Sequence, residues 1–323
     1  MLIWSVLTAL GGAFCLALGS ALQERDAVRA PGDRVARMGF LAHLVQRPRW
    51  VIGTLAAAAG VSLHLVALSG APLTIIQPIG VTGLLFAIVL SALFNRRRIR
   101  VGQIIAGMAV MAGLVGVLVL FPHTSVPPVL PVPTALLLVG SVAAAGCVVY
   151  IAAHWVPAGP RALLLAAAGG AALGTTSALA RVVAAQTVAD PAAVISWLTV
   201  LAAVIAVLGG LLQQNAYRTG HFAAAYATLL VTDPITGAGI GALLLGEGLP
   251  ATPLDRLSAA AAAVLAIAGT AALARAKDRN PDAVRRFRAA VGDPTVSTRL
   301  QEKRYDPVEP ASPSPRTRSE HGR

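Results

Sequence analysis

The stretch "PLTIIQPIGVTGLLFAIVLSALFNRRRIR" (72–100) begins as an almost uninterrupted apolar run and ends on four arginines. A helix needs about 20 apolar residues to cross the roughly 30 Å hydrocarbon layer of a bilayer. Residues 72–94 meet that length, and Arg96, Arg97, Arg98 and Arg100 follow directly. The pattern therefore predicts a membrane-spanning helix that ends in a basic loop.

The same pattern recurs along the chain and predicts an all-α, polytopic membrane helix bundle. Lipid offers no water to unpaired backbone groups, so spanning segments must be helices or closed barrel strands. These stretches are too long and too uniformly apolar for barrel strands, which alternate over about ten residues. About nine transmembrane helices are predicted, over 2–22, 51–69, 72–94, 101–121, 134–153, 162–188, 193–213, 222–246 and 257–274.

The arginines and lysines fall almost entirely in alternate gaps between these stretches. Of the 26 basic residues, only Arg181, inside a predicted helix, and Arg256 depart from this pattern. Cytoplasmic loops carry the excess of basic residues in membrane proteins. The charge pattern therefore predicts an N-terminus outside, a C-terminus in the cytoplasm, and insertion in the plasma (inner) membrane.

Composition divides the chain into a transmembrane domain, 1–275, and a tail, 276–323. Charged residues make up 12% of the chain, against about 25% in soluble proteins. The tail is rich in Pro, Ser, Asp and Arg, which predicts a basic, disordered cytoplasmic segment. The net charge of +12 is spread over short loops and this tail. It suits contact with membrane lipids and does not indicate nucleic acid binding.

The start of the chain and the gap at 23–50 have simple interpretations. No basic region precedes the apolar stretch 2–22, so a retained first helix is predicted rather than a cleaved signal peptide. The gap holds either a short surface helix around Val35–Val45 or a plain loop. Cys15 and Cys147 both lie in apolar stretches without metal or redox spacing. They are predicted to be packing residues, and no metal site or cofactor is expected.

An internal repeat relates the two halves of the predicted bundle. The segment "LTALGGAFCLALGSAL" (7–22) resembles "LAAAGGAALGTTSAL" (165–179), and "QPIGVTGLL" (77–85) resembles "DPITGAGIGALLLGE" (233–247). Predicted helices 1–4 then correspond to helices 6–9. The odd offset of five makes the halves antiparallel across the membrane, as in the inverted repeats of many secondary transporters. The alternative is a chance match between segments rich in alanine and glycine.

The chain also resembles the drug/metabolite transporter superfamily, in particular a nine-helix branch that includes magnesium-transporter-like proteins. The resemblance rests on "RPRWVIGTLAAAAGVSLHLVALSGAPLTIIQPIGVTGLLFAIVLSALFNRRRI" (47–99) and on "DPITGAGIGALLLGEGL" (233–249). The superfamily's common form has ten helices in two five-helix halves. Here a helix is missing between the first and second stretches, where the arginine-rich gap lies. The resemblance implies a transporter fold and does not identify a substrate.

Two charged residues fall inside predicted helices, where charge is costly and tends to mark function. Asp233 lies near the middle of stretch 222–246 and could bind a proton, a cation or a cationic substrate. Alternatively, it could form a structural pair with Arg181 or cap a broken half-helix. Arg181 could attract an anionic group, balance Asp233, or extend to the nearby interface. Glu247 follows in the next turn and is interpreted as a structural cap.

Further candidate residues surround the two prolines predicted to break helices, Pro78 and Pro234. Such breaks expose backbone polar groups to a cavity in transporters, although a simple kink for packing is the alternative. Gln77 precedes Pro78 as Asp233 precedes Pro234. His64 could relay protons or serve as a hydrogen-bonded packing residue. Gln213 could line an inner gate or belong to ordinary interfacial polarity.

Several functions are excluded or favoured by these patterns. The chain lacks a phosphate-binding P-loop, a zinc motif of the H-E-x-x-H type and a G-x-S-x-G motif, so neither ATP-driven pumping nor an enzyme activity is predicted. The favoured function is secondary transport of a small solute by alternating access. A divalent-cation transporter and a non-transporting membrane scaffold or accessory subunit are the alternatives. Glycine-rich helix faces could pack within one chain or form a homodimer.

Overall fold

A computed structural model describes residues 2–30, 38–70, 73–96, 98–120, 129–246 and 252–275. All belong to one compact unit, Met1–Asp278, and no strand occurs among them. The tail at 276–323 and Glu247 lie outside the described residues. The helices are α1 (Leu2–Arg29), α2 (Met38–Val45), α3 (Pro48–Gly70), α4 (Leu73–Val81), α5 (Gly83–Phe94), α6 (Val101–Leu120), α7 (Val132–Ala152), α8 (Ala158–Ala189), α9 (Trp197–Arg218), α10 (Phe222–Leu244) and α11 (Pro253–Arg275), with a 3₁₀ turn at Pro191–Val194.

Seven helices of the described part are long and apolar enough to cross a membrane: α1, α6, α7, α8, α9, α10 and α11. Large apolar side chains such as Leu137, Val148 and Leu243 are exposed on their outer faces. Because water would not tolerate so much exposed apolar surface, the described chain has the character of a membrane-embedded helix bundle.

The stretch at 72–94 forms two shorter helices rather than one uninterrupted helix. α4 ends at Val81 and α5 begins at Gly83. At Thr82 the backbone N–H donates to the Ile79 carbonyl over 3.0 Å, and the side-chain hydroxyl donates to the same carbonyl over 2.6 Å. Pro78 has already removed one donor from the preceding turn. A proline, followed by a threonine that bonds the backbone locally, therefore divides this stretch.

The described parts of the gap at 23–50, residues 23–30 and 38–50, are largely helical. α1 continues to Arg29, because Gln, Glu, Arg and Ala in this segment are good helix formers. Met38–Val45 forms α2, so the predicted short helix is confirmed over these residues. Its Phe40 and Leu44 are buried. α2 therefore packs on the bundle rather than projecting from it.

Glycines allow the closest helix contacts, most clearly between α1 and α3. A Cβ atom at Gly60 would lie 2.8 Å from the Gly12 carbonyl oxygen, and one at Gly53 would lie 2.8 Å from that of Gly19. Gly12 faces Gly60, and Gly19, later in α1, faces Gly53, earlier in α3. The two helices are therefore antiparallel. Small residues let backbones approach closely in membrane bundles, and only glycine fits these four positions.

Candidate functional site

The surroundings of α10 change abruptly along its length. Residues 222–229 are all buried, whereas residues 232–239 are all half-buried. Eight consecutive helical residues point in every direction around the axis. The first part of α10 is therefore enclosed on all sides, whereas the second part is partly exposed except where α8 packs against it, and Ile240 and Gly241 beyond it are buried again. A Cβ atom at Gly237 or Gly239 would meet no atom within 4 Å.

Asp233 lies at the start of this accessible part, directly opposite α8. The Asp233 backbone packs directly against two glycines of α8. A Cβ atom at Gly170 would lie 3.3 Å from the Asp233 nitrogen, and one at Gly174 would overlap the Asp233 carbonyl oxygen. The Asp233 side chain is half-buried. The close α8–α10 contact therefore fixes the backbone of a carboxylate that remains partly accessible in an apolar helix.

The two predicted proline breaks differ in the structure. α10 runs without interruption through Pro234, whereas the stretch around Pro78 divides four residues later, at Thr82. The single helix at Pro234 is compatible with neighbouring α8 packing tightly against it at Gly170 and Gly174. Tertiary contacts can maintain a helix through a proline inside a membrane bundle.

The structure places the other predicted residues in several locations. His64 is half-buried, and its Cε1 atom would lie 3.1 Å from a Cβ atom at Gly80 of α4, two residues after Pro78. Gln77 belongs to α4, but its side chain is not described. Arg181 is exposed on α8. His64 and the Pro78 segment are thus brought together, while Arg181 lies on an exposed face.

Gln213 bonds to an aromatic cluster at the enclosed part of α10. Its Nε2 donates to the Tyr217 hydroxyl over 2.9 Å. Tyr217 and Phe222 are fully buried, their ring centroids lie 5.0 Å apart, and Tyr226 follows 5.7 Å from Phe222. Tyr226 lies two helical turns before Asp233, about 10 Å along the axis. These rings, packed edge to face and tilted, lie on the enclosed side of Asp233.

A polar cluster, buried except for the half-buried Asn95 and the exposed Thr54 at its edge, lies at the same end of the bundle as the arginine-rich gaps. We call it the inner polar cluster; it comprises Gln23, Glu24, Thr54, Ser91, Asn95 and Gln214. Glu24 is 2% exposed and its Oε2 accepts hydrogen bonds from Asn95 Nδ2 at 2.9 Å and Ser91 Oγ at 3.2 Å. A charged group is tolerated at such depth only with bonded partners, so this end of the bundle is held by polar contacts.

A second set of bonds in the inner polar cluster connects α1, α3 and α9. Gln214 Nε2 donates to Gln23 Oε1 over 2.9 Å, and Gln23 Nε2 donates to the Thr54 hydroxyl over 3.1 Å. Both the oxygen and the nitrogen of the Gln23 side-chain amide therefore form hydrogen bonds. Residues of the first and second halves of the chain meet directly in this bond.

Sequence reasoning missed this cluster because it ended the first helix at residue 22. The apolar stretch ends there, but the helix formers Gln23, Glu24 and Arg25 continue it. The run of polar residues at 213–215 was a second signal, since it begins at the predicted end of a helix, whereas α9 continues to Arg218. Neither signal showed that α1, α5 and α9 meet, which depends on tertiary packing.

Replacing Asn95 by alanine is expected to lower the free energy of unfolding by about 1.5–3 kcal/mol, the usual contribution of a hydrogen bond to a charged group. The reason is that the variant removes one donor from the buried Glu24 carboxylate. Thermal unfolding of the purified protein measures the effect. Ser141→Ala is the control, because Ser141 is exposed and its hydroxyl donates to the Leu138 carbonyl of its own helix over 2.8 Å. Equal stability of the two variants would contradict this role for Asn95.

Other candidate sites among the described residues are weaker. No group of three or more His, Cys, Asp or Glu side chains comes together there to hold a metal ion. A groove of about 460 Å³ lies between α8, the 3₁₀ turn and α9, apart from Asp233. Its lining is mostly apolar, formed by Ala180, Val183, Ala184, Thr187, Val194, Thr199 and Ala202. It lacks the charged group that distinguishes the accessible part of α10.

Comparison with known proteins adds a relative but no function. The chain is 27% identical over 280 residues to an uncharacterized protein of Corynebacterium glutamicum, a match that covers 84% of this chain and 94% of that protein. No family model matches the chain, and no solved structure matches it. The similarity therefore extends over most of this chain and nearly all of the relative.

Proposed function

We propose that this protein is a secondary transporter of the drug/metabolite type, which moves a small solute across the plasma membrane by alternating access. The observation that carries the proposal is the abrupt change along α10, from enclosed at 222–229 to accessible at 232–239. A helix that is enclosed in its first part and partly exposed from the level of Asp233 onward, over residues 232–239, is compatible with a pathway open to one side. The proposed state is open to the outside, with the arginine-rich end in the cytoplasm and the N-terminus outside.

A bundle of nine membrane helices, in which helices 1–4 and 6–9 form an inverted repeat, is part of this proposal, and the packing supports it. In the first half, α1 packs against α3 and against α4 and α5; in the second half, α8 packs against α9 and α10. α6 and α11, the last helices of the two halves, pack on each other. α1 and α8 thus have corresponding roles, as expected if Gly11-Gly12 corresponds to Gly169-Gly170. In this account α3 and the α4–α5 pair also span the membrane.

Asp233 is the proposed recognition or coupling residue. It lies at the boundary between the enclosed and accessible parts of α10, where a solute entering from outside would stop above Tyr226. Ionisable residues at membrane depth line pathways and bind ions or charged solutes in transporters. Transport sites near the midplane between two inverted halves follow the same geometry. The chain carries no P-loop, so the proposed energy source is a solute or ion gradient.

The proposal is tested by a thermal-shift panel on purified protein, with divalent cations, amino acids, sugars, nucleotides and lipophilic cations as ligands. One chemical class is expected to stabilise the protein, by about 2.7 kcal/mol at a hundred times its dissociation constant. The variant Asp233→Asn should lose this stabilisation, because it removes the charge that the solute or coupling ion contacts.

The matched control is Asp190→Asn, at an exposed residue that caps the 3₁₀ turn. Asparagine caps helices about as well as aspartate, so this variant should keep the full ligand response. Equal stabilisation of Asp233→Asn by the same ligand would exclude Asp233 from the site. Stabilisation by none of the classes, with both variants as stable as the parent protein, would favour a scaffold or accessory subunit instead.

A further inference from the structure

The bond between Gln23 and Gln214 joins two helices that the proposed mechanism must separate. Gln23 is on α1, in the first half of the chain, and Gln214 is on α9, in the second half. Their amides bond over 2.9 Å across 191 residues of sequence. In alternating access the two halves rock against each other around the solute site. A polar bond between the halves, on the cytoplasmic side of Asp233, is therefore in the position of a gate.

The Gln214 amide is only partly satisfied where it lies. Gln214 is 3% exposed, and its Oε1 atom has no hydrogen-bond partner. A buried acceptor without a partner raises the free energy of the closed arrangement, and hydration would recover that loss. The bond therefore holds α1 and α9 together, while the unpaired Gln214 oxygen lowers the free-energy cost of opening this contact to water.

Neighbouring contacts complete the seal around this bond. Tyr217, one turn after Gln214 on the same helix, and Phe222 are fully buried, and their rings meet edge to face. One turn further, Arg218 donates to the Ala30 carbonyl oxygen over 3.2 Å and lies over the Phe40 ring, 4.8 Å from its centroid. These contacts also connect α9 with α1 and α2. The cytoplasmic end is thus closed by apolar rings in the centre and by polar side chains around them.

We propose that the Gln23–Gln214 bond is the latch of a cytoplasmic gate, and that it breaks when the transporter opens inward. This inference rests on the proposed function. Thr54 positions the latch by accepting the second hydrogen bond of Gln23. Removing one glutamine leaves the other buried without its partner, which favours the open, hydrated arrangement. Replacing both by leucine removes both unpaired groups and allows an apolar seal, which can be nearly neutral.

The latch is tested by the reactivity of a buried cysteine toward a water-soluble, charged methanethiosulfonate reagent. The parent protein carries Cys15→Ala and Cys147→Ala, with Ala27→Cys as the inner reporter. Ala27 is fully buried on α1, one turn after Gln23. A second parent carries Gly239→Cys as the outer reporter, because Gly239 faces open space.

Gln23→Leu and Gln214→Leu should each raise the reaction rate of the inner reporter about tenfold or more, and lower that of the outer reporter. The double variant should return both rates close to those of the parent. Gln186→Leu, at an exposed position of α8, should leave both unchanged. Thr54→Val, a milder change, should raise the inner rate in the same direction if either leucine variant fails to fold.

Three results would overturn the latch. The inner rate could stay at the parent value in every folded variant, or the double variant could react faster than either single one. The inner rate could also rise while the outer rate stays constant, which would describe local fraying rather than a gate. An unreactive outer reporter in the parent protein is a different result, since it would contradict the proposed outward-open pathway itself. These outcomes separate failure of the latch from failure of the proposed function.

Discussion

Replacing Gly19 by alanine is expected to lower the free energy of unfolding by about 3 kcal/mol, at the upper end of what overpacking usually causes. The added methyl group would overlap the Gly53 carbonyl oxygen and lie 2.8 Å from the Ala57 backbone nitrogen. Both are backbone atoms of α3, so no side chain can turn away to make room. Relief would require α1 and α3 to separate along the contact that also includes Gly12 and Gly60.

The matched control is Gly210→Ala on α9, where a new Cβ atom would meet nothing within 4 Å. Alanine is a better helix former than glycine by up to about 1 kcal/mol, so this variant should be neutral or slightly more stable. Thermal unfolding followed by tryptophan fluorescence compares the two. The same chemical change therefore has opposite expected signs. Similar stability of both variants would contradict the close α1–α3 packing.

The sequence predicted the positions of the long helices well, because apolar stretches of about 20 residues have few other structures available in a membrane. The helix boundaries were predicted wrongly where local helix propensity and side-chain bonding, rather than hydropathy, decide where a helix begins or ends. α1 extends to Arg29 because helix propensity and burial of Glu24 continue past the last apolar residue. Thr82 divides 72–94 because a proline and a local side-chain bond weaken the helix there.

The candidate site was only partly predictable from the sequence. Asp233 could be selected because a carboxylate in an apolar helix is rare enough to stand out. The inner polar cluster could not, because Glu24 and Asn95 are 71 residues apart and each looks like an ordinary polar residue at a helix end. Their pairing depends on which helices meet, and hydropathy carries no information about helix neighbours. The prediction that Gln213 lines an inner gate stays a prediction, although Gln213 bonds to Tyr217 close to the proposed latch.

Solvent accessibility along α10 is the second large expected effect. Single cysteines at Ala225 and Ala227, both fully buried, should react slowly with a water-soluble thiol reagent because they lie in the enclosed part of the helix. Cysteines at Gly237 and Gly239 face open space and should react about a hundredfold faster or more, since local opening is not needed to reach them. Both pairs are compared in a background without Cys15 and Cys147.

The most direct measurement is this reactivity profile in proteoliposomes, with the reagent added from the outer side. The outward-open account predicts rapid labelling at Gly237→Cys and Gly239→Cys, slow labelling at Ala225→Cys and Ala227→Cys, and a change between them close to Asp233. Equal, slow labelling at all four positions would contradict the account. So would labelling of the outer pair by a lipid-soluble maleimide alone, because those residues would then face hydrocarbon and not a pathway for a solute.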